Sequence, residues 1–398
     1  MNSRPTPPSL DRRQFLAMAG GLVAATALSA STGEPANTPA PAPTPAVGPL
    51  LINALGEISN PNLAANDPKA GMIGVAAAAS DFDARAVADS FAAGLTAVNI
   101  TLGFVAGPME PFEHTIREIG VWDRTIRVNP KLLKVYTAAD ILRAREEKRL
   151  GVIYGFQNAA QVGTDPARID IFSDLGVRVI QLTYNPRNQL GDGSIVAENH
   201  GLTPLGREVV ARLNARRVMV DLSHSGEQTC LDAARLSTQP ISINHTGCRA
   251  LMDLPRNKTD AELRLVAERG GFVGIYFMPF LHPTGHATAG DVVRHIEHAV
   301  NVCGEDHVGI GTDGPATPID DLDGYRARAA RENASRTKAG VAAPGEGPDI
   351  FPFIVDLRGV DQFRKLAGLL AARGFSGSRI EKILGGNFLR FAREVWGA

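Results

Sequence analysis

The sequence predicts a parallel (β/α)8 barrel of the TIM type, an α/β fold carried by one domain. Three observations point there. Eight short, mostly apolar runs, at 50–54, 97–102, 151–155, 177–182, 217–222, 240–244, 271–277 and 307–311, alternate with largely amphipathic helical stretches. Two successive runs stop on a histidine, Asp221-Leu222-Ser223-His224 and Asn244-His245, and the carboxyl ends of the strands are where such a barrel presents its chemistry. No G-x-G-x-x-G opens a helix after the first strand, which disfavours an open doubly wound sheet of the dinucleotide-binding kind.

Size and charge agree with an enzyme of this class. The 398 residues suffice for one barrel of roughly 250–400 residues with extras. A net charge of −1, with 21% charged residues and no basic stripe, excludes a nucleic-acid partner. Three cysteines, Cys230, Cys248 and Cys303, form no CxxC pair and cannot all pair within one chain, so they read as small buried hydrophobes.

The amino terminus is a separate matter. Asp11-Arg12-Arg13-Gln14-Phe15-Leu16 precedes an uncharged small and apolar stretch from Ala17 to Ala30, the pattern of a twin-arginine export signal over 1–30. The stretch is too short for a bilayer core of ~30 Å, which needs about 20 residues, so the mature chain is expected to have no transmembrane span. Residues 31–49 are rich in Pro, Ala and Thr and read as an extended linker. The catalytic domain is expected over 50–398, in a periplasmic or secreted protein.

Within that domain, Thr203-Pro204 caps and starts one helix and Thr259-Asp260-Ala261-Glu262 another. A third covers 291–302, with His295 and His298 on a face expected to be solvated. Residues 323–349 are Arg/Ala/Gly-rich and read as a long exposed loop over the active face. The closing helical segment, 378–395, is broken at Gly385-Gly386.

The residues that follow each strand define the expected site. They are Asn53, Leu55 and Glu57 after the first, Gln157 and Asn158 after the third, and Tyr184 and Asn185 after the fourth; His224, His245 and Asp313 follow the fifth, sixth and eighth. Two imidazoles and a carboxylate on neighbouring strand ends suit a borderline metal such as zinc. Such an ion, with an open position, lowers the pKa of its water towards ~7.

These residues resemble the renal (membrane) dipeptidase family of metallopeptidases. The resemblance rests on Asp221-Leu222-Ser223-His224, Asn244-His245-Thr246, Pro255-Arg256-Asn257-Lys258-Thr259-Asp260 and Gly309-Ile310-Gly311-Thr312-Asp313. It extends to Leu182-Thr183-Tyr184-Asn185, to Gly201-Leu202-Thr203-Pro204-Leu205-Gly206-Arg207 and to Gly385-Gly386-Asn387-Phe388-Leu389-Arg390. It implies an amidohydrolase-like, metal-dependent barrel hydrolase acting on dipeptides, often as a homodimer. It further implies that His224 and His245 hold one metal, that Asp313 handles the proton of the attacking water, and that Arg256, with Asn257 beside it, binds the substrate carboxylate.

The departures from the family pattern narrow this. Where the family has His-x-Asp after strand one, this chain has Leu55 and Glu57; where it has a bridging glutamate, this chain has Gln157; and Tyr184 replaces a substrate-contacting histidine. Leucine cannot ligate, and a neutral glutamine does not offset the repulsion of two close divalent ions. A two-metal centre is therefore not expected. At most one ion, Zn2+ or another divalent metal, is expected on His224 and His245 with Asp313, Gln157 or Glu57 as auxiliary ligands. The expected activity is hydrolysis of a small peptide or related amide with a free carboxylate, Asp313 and Tyr184 being catalytic and Arg256, Asn257 and Tyr184 binding substrate. Two alternatives stand beside it: a non-hydrolytic acid–base enzyme, an isomerase or tailoring enzyme on a peptide-derived metabolite, and a catalytically inactive peptide-binding pseudoenzyme.

Overall fold

A computed structural model describes residues 49–63 and 82–397. The export signal and all but the last residue of the linker expected at 31–49 lie outside the described residues. The expected barrel is present. Eight strands pair in parallel, in the order β1 (Ile52–Gly56), β2 (Ala97–Thr101), β4 (Leu150–Phe156), β5 (Val177–Gln181), β6 (Met219–Asp221), β7 (Ser242–Thr246), β8 (Phe272–Ile275) and β9 (Val308–Ile310). A three-residue strand absent from the sequence expectation, β3 (Leu132–Lys134), pairs with the outside of the set through β4.

The helices between them begin where the caps demand. The Thr203 side chain accepts the Gly206 N–H, with a proline in the first turn of α5 (Pro204–Ala215). Thr259 and Glu262 form a full capping box on α7 (Asp260–Glu268), and Thr288 caps α8 (Ala289–Cys303) with Asp291. The remaining barrel helices are α1 (Ala84–Ala92), α2 (Pro111–Val128), α3 (Ala138–Glu146), α4 (Arg168–Asp174) and α6 (Glu227–Leu236). The carboxyl-terminal break is a π turn, Lys382–Gly386, between short α11 (Gly377–Glu381) and α12 (Asn387–Trp396). A Cβ on Gly385 would stand 2.6 Å from Leu50 O, so the turn lies directly against the entry to β1. Phe272 meets Phe388 edge-on at 5.3 Å, joining α12 to the barrel. All three cysteines are free and buried, as expected.

The seam between β9 and β1 is closed without a regular ladder. The Asn53 side chain stands in for a rung: its Nδ2 donates to Thr312 Oγ1 at 2.8 Å and its Oδ1 accepts Thr312 N–H at 2.9 Å. Just beyond, Asp313 N–H donates to Leu55 O and Glu57 N–H to Gly314 O. Inside, β8 and β9 are held close to β7 by glycines. A Cβ on Gly274 or Gly311 would stand 2.0 Å from Asn244 O. Gly274→Ala is therefore expected to destabilise the fold by about 2–3 kcal/mol, because backbone rather than a flexible side chain would have to move. A urea melt showing less than ~0.5 kcal/mol change would refute this reading of the barrel interior.

Two corrections concern helices. Residues 323–349 are not a long exposed loop: α9 (Leu322–Lys338) takes up the whole of the first half and more. Polar residues on all sides hide its period. His295 does not face solvent but is buried, with Nδ1 accepting the Cys248 N–H at 2.9 Å. His298 does lie nearer the surface, against Asp260 at 2.7 Å. A last helix, α10 (Gln362–Ala372), packs on α8.

Candidate active site

A cavity of about 510 Å³ opens at the carboxyl ends of the strands. Gln157, Tyr184, His224, Arg256 and Asp313 line its floor, and Phe82, Trp122, Phe280 and Phe351 contribute an apolar wall. Glu57 also lines it, but as an exposed rim residue whose carboxylate accepts from Ser59 Oγ at 2.7 Å.

The two histidines meet as their strand ends require. His224 Nε2 and His245 Nε2 are 3.0 Å apart, and both rings are buried. A chain of bonds fixes the tautomer of His224. Asn185 Nδ2 donates to Val341 O at 2.7 Å, which turns Asn185 Oδ1 towards His224. That oxygen can only accept, so at 2.6 Å it takes a proton carried on His224 Nδ1. His224 Nε2 is left with a lone pair aimed at His245. The backbone of His245 is set from below: Ser223 Oγ accepts its N–H at 3.1 Å, and Asp221 accepts from the Ser223 hydroxyl and the Asn244 N–H. Among the described residues His245 Nδ1 has no hydrogen-bond partner, although it is buried. Burial, with Arg256 nearby, holds both imidazoles well below their ordinary pKa and keeps them neutral.

Asp313 is one of three non-glycine residues with positive φ among the described residues, at +59°. This left-handed conformation lets the chain turn at the end of β9 and aims the carboxylate into the cavity. Gln157 Nε2 donates to Asp313 Oδ1 at 3.0 Å. Although the carboxylate still touches the pocket, burial pushes its pKa up to about 6, against the opposing pull of Arg256 and the Gln157 bond.

Arg256 is buried, and its Nη1 donates to Ser223 O at 2.5 Å. Asn257, expected beside it in the substrate site, does not line the cavity. Its Nδ2 donates to Met252 O and Phe280 O, and its Oδ1 accepts the Tyr276 hydroxyl at 2.5 Å. The side chain is spent on holding the loop after β7. Tyr184 stacks on His224, with centroids 4.2 Å apart and planes 26° apart. Sequence reasoning missed Arg336, whose Nη1 donates to the Tyr184 hydroxyl at 2.9 Å. An arginine four residues from the glycine that follows a polar stretch carries no signal until α9 is recognised.

The sequence profile of the membrane dipeptidase family (Peptidase family M19) matches residues 68–326. The chain belongs to this family. It is a dipeptidase-like hydrolase by that membership, and a 30% identical solved structure, an amidohydrolase from Pseudomonas aeruginosa, superposes with a TM-score of 0.72 over 88% of this chain and 98% of its own. Among curated proteins the chain is similar to an uncharacterised Klebsiella pneumoniae protein from the pqqA 5′ region, 28% identical over 73% of this chain and 98% of that one. The dipeptidase tcpJ of Claviceps purpurea is 27% identical over 71% of this chain, which spans 60% of that protein's length.

The dipeptidase family implies metal, and the donors present answer in two parts. They do not fit a two-metal centre: Leu55 is an apolar side chain of β1, and Gln157 is a neutral amide already bonded to Asp313. For a single ion the histidine pair does fit. Two nitrogens bound at ~2.0–2.1 Å in tetrahedral geometry stand ~3.3 Å apart, close to the spacing observed. Among the described residues no group of three or more His, Cys, Asp or Glu side chains is arranged to hold an ion.

Proposed function

We propose that the chain is an exported hydrolase of a small peptide, or a related amide, that carries a free carboxylate, working with at most one divalent ion. The observation that supports this most is the meeting on one cavity floor of a carboxylate of raised pKa, a phenol and a buried guanidinium: Asp313, Tyr184 and Arg256. The relatives named dipeptidases support the substrate class, and Arg12-Arg13 ahead of an apolar stretch supports export.

Each group has a task that its surroundings allow. Asp313 Oδ1 is occupied by Gln157, leaving Oδ2 to take the proton of the attacking water. Gln157 holds the carboxylate without adding a charge that would compete for the proton. Arg256 receives the substrate carboxylate, its fork being suited to two oxygens. Tyr184, lying flat on His224, presents its hydroxyl to the carbonyl oxygen of the scissile bond. Zinc or a similar ion on His224 and His245 would supply Lewis-acid polarisation of the reacting water or carbonyl.

The test is elemental analysis of protein purified from the periplasmic fraction, with a panel of L,L and L,D dipeptides. The expected result is at most one ion per chain, cleavage of part of the panel, and loss of the ion together with ~10²-fold of activity in His245→Ala. Two ions per chain would overturn the ligand account. Protein that cleaves nothing after zinc or manganese addition would overturn hydrolysis. One observation favours a second reading: Asp313, with its pKa near 6 and, among the described residues, no acidic third ligand beside the histidines, is equipped for metal-independent acid–base work on a peptide-derived metabolite.

A further inference from the structure

We infer that Arg336 and Glu346 form a clamp that sets the Tyr184 hydroxyl as a hydrogen-bond donor to the reacting carbonyl oxygen. They are positioning residues, acting through Tyr184. The inference rests on the proposed hydrolytic reading of the site and adds to it a segment that the strand ends do not supply.

The geometry leaves Arg336 little freedom. Its Nε and Nη2 are held by the two oxygens of Glu346 at 2.6 and 2.8 Å, a fork-to-fork pair. Glu346 is itself fixed, since Oε1 also accepts the Ala343 N–H at 3.0 Å. Only Nη1 remains, and it points at the Tyr184 oxygen at 2.9 Å. With its charge matched by Glu346 and its fork occupied, Arg336 is poorly placed to capture a substrate carboxylate itself.

The direction of that last bond carries the argument. A guanidinium only donates, so the tyrosine oxygen must be the acceptor. The phenol proton is then turned away from Arg336, and one face of the ring is covered by His224. The cavity is the open side, because Tyr184, Arg336 and Glu346 all line it. A hydrogen bond donated to a carbonyl that is gaining negative charge grows stronger as the phenol oxygen gains charge, and a fixed guanidinium on that oxygen favours the change. The same segment, through Val341 O and Asn185, also sets the tautomer of His224. Thus residues 336–346 brace the two groups that stack on each other at the centre of the site.

The test is a double-mutant cycle on the full chain, read on the best dipeptide of the panel. Tyr184→Phe and Arg336→Met should each lower kcat by roughly 30–100-fold with KM changed less than about threefold, and the double variant should be no worse than Tyr184→Phe alone. Arg336→Lys, which keeps a donor but not the fork, should recover part of the loss, and Glu346→Gln should fall between. These two variants carry the test if Arg336→Met does not fold. Multiplicative losses in the double variant, or a raised KM with kcat unchanged in Arg336→Met, overturn the clamp. If the wild type cleaves nothing, the hydrolytic reading fails by itself, and the clamp is read from calorimetry with a phosphinate mimic of L-Ala-D-Ala. Equal losses of affinity in both single variants and the double then support it. Unequal or additive losses overturn it, and a wild type that neither cleaves nor binds counts against both.

Discussion

Asp313→Asn is expected to abolish turnover and, at the same time, to make the protein more stable above pH 6. The first effect follows from the role proposed for the carboxylate. An amide cannot take a proton from water, and loss of a general base removes typically 10²–10⁴ in rate. The second follows from burial. The folded-state pKa of Asp313 is raised to about 6, above the ordinary carboxyl value of ~3.9. Between those values the folded state binds more protons than the unfolded one, so stability contributed by this group is full below pH ~4, falls as pH rises to ~6, and stays lost above it. Asparagine never ionises and escapes that loss, which is worth ~1–3 kcal/mol after allowance for the solvent in the pocket. Asparagine also tolerates the left-handed backbone at this position, so the variant should keep its fold. In the wild type kcat/KM should fall as pH drops below about 6, because the base becomes protonated. Thermal melts at pH 5 and pH 8 would check the argument. A variant less stable than wild type at pH 8 would contradict it, as would retention of more than a tenth of the activity.

Lys258→Met should produce the largest loss of stability short of disrupting the barrel itself. Lys258 is fully buried, its ammonium 3.1 Å from Glu262 and hydrogen-bonded to Ser225 O. Removing one member of a buried pair leaves an uncompensated charge, at about 3–5 kcal/mol. Glu262 cannot withdraw to water, because its other oxygen accepts the Thr259 N–H and hydroxyl at the start of α7. The double variant Lys258→Met/Glu262→Gln removes the charge but keeps an acceptor for the cap, and should regain at least half of the loss. Urea unfolding of the three proteins would decide. A single-variant effect below 1 kcal/mol, or a double variant worse than the single, would show that the pair is not compensated as described.

The barrel was legible because its signals are periodic and repeated. Each short apolar run marked a strand, Thr203 and Thr259 marked helix starts, and the paired histidines fell 3.0 Å apart as strand ends of one mouth should. The rest was hidden for identifiable reasons. β3 has three residues, too few to show alternation. α9 is polar on all sides, so nothing in its pattern separates a helix from a loop, and Arg336 went unseen with it. Asn257 sits one position from Arg256 in the sequence, yet adjacent side chains diverge, and its amide turns into the loop instead of the pocket. Glu57 was expected near a metal, but one residue past the strand it reaches the exposed rim. Metal ligation by Gln157 was inferred from its position; the partner it has in the structure, Asp313, follows the last strand of the barrel, five strands further on.

The seam at Asn53 and Thr312 joins residues 259 positions apart in sequence. β1 is the first stave made and β9 the last, so for most of synthesis one edge of β1 has no neighbour, and closing so long a loop is slow compared with forming the strand–helix units between. Leu55 and Asp313 meet across that same junction. A chain that ends before β9 therefore has both histidines but neither Asp313 nor the junction that closes the floor.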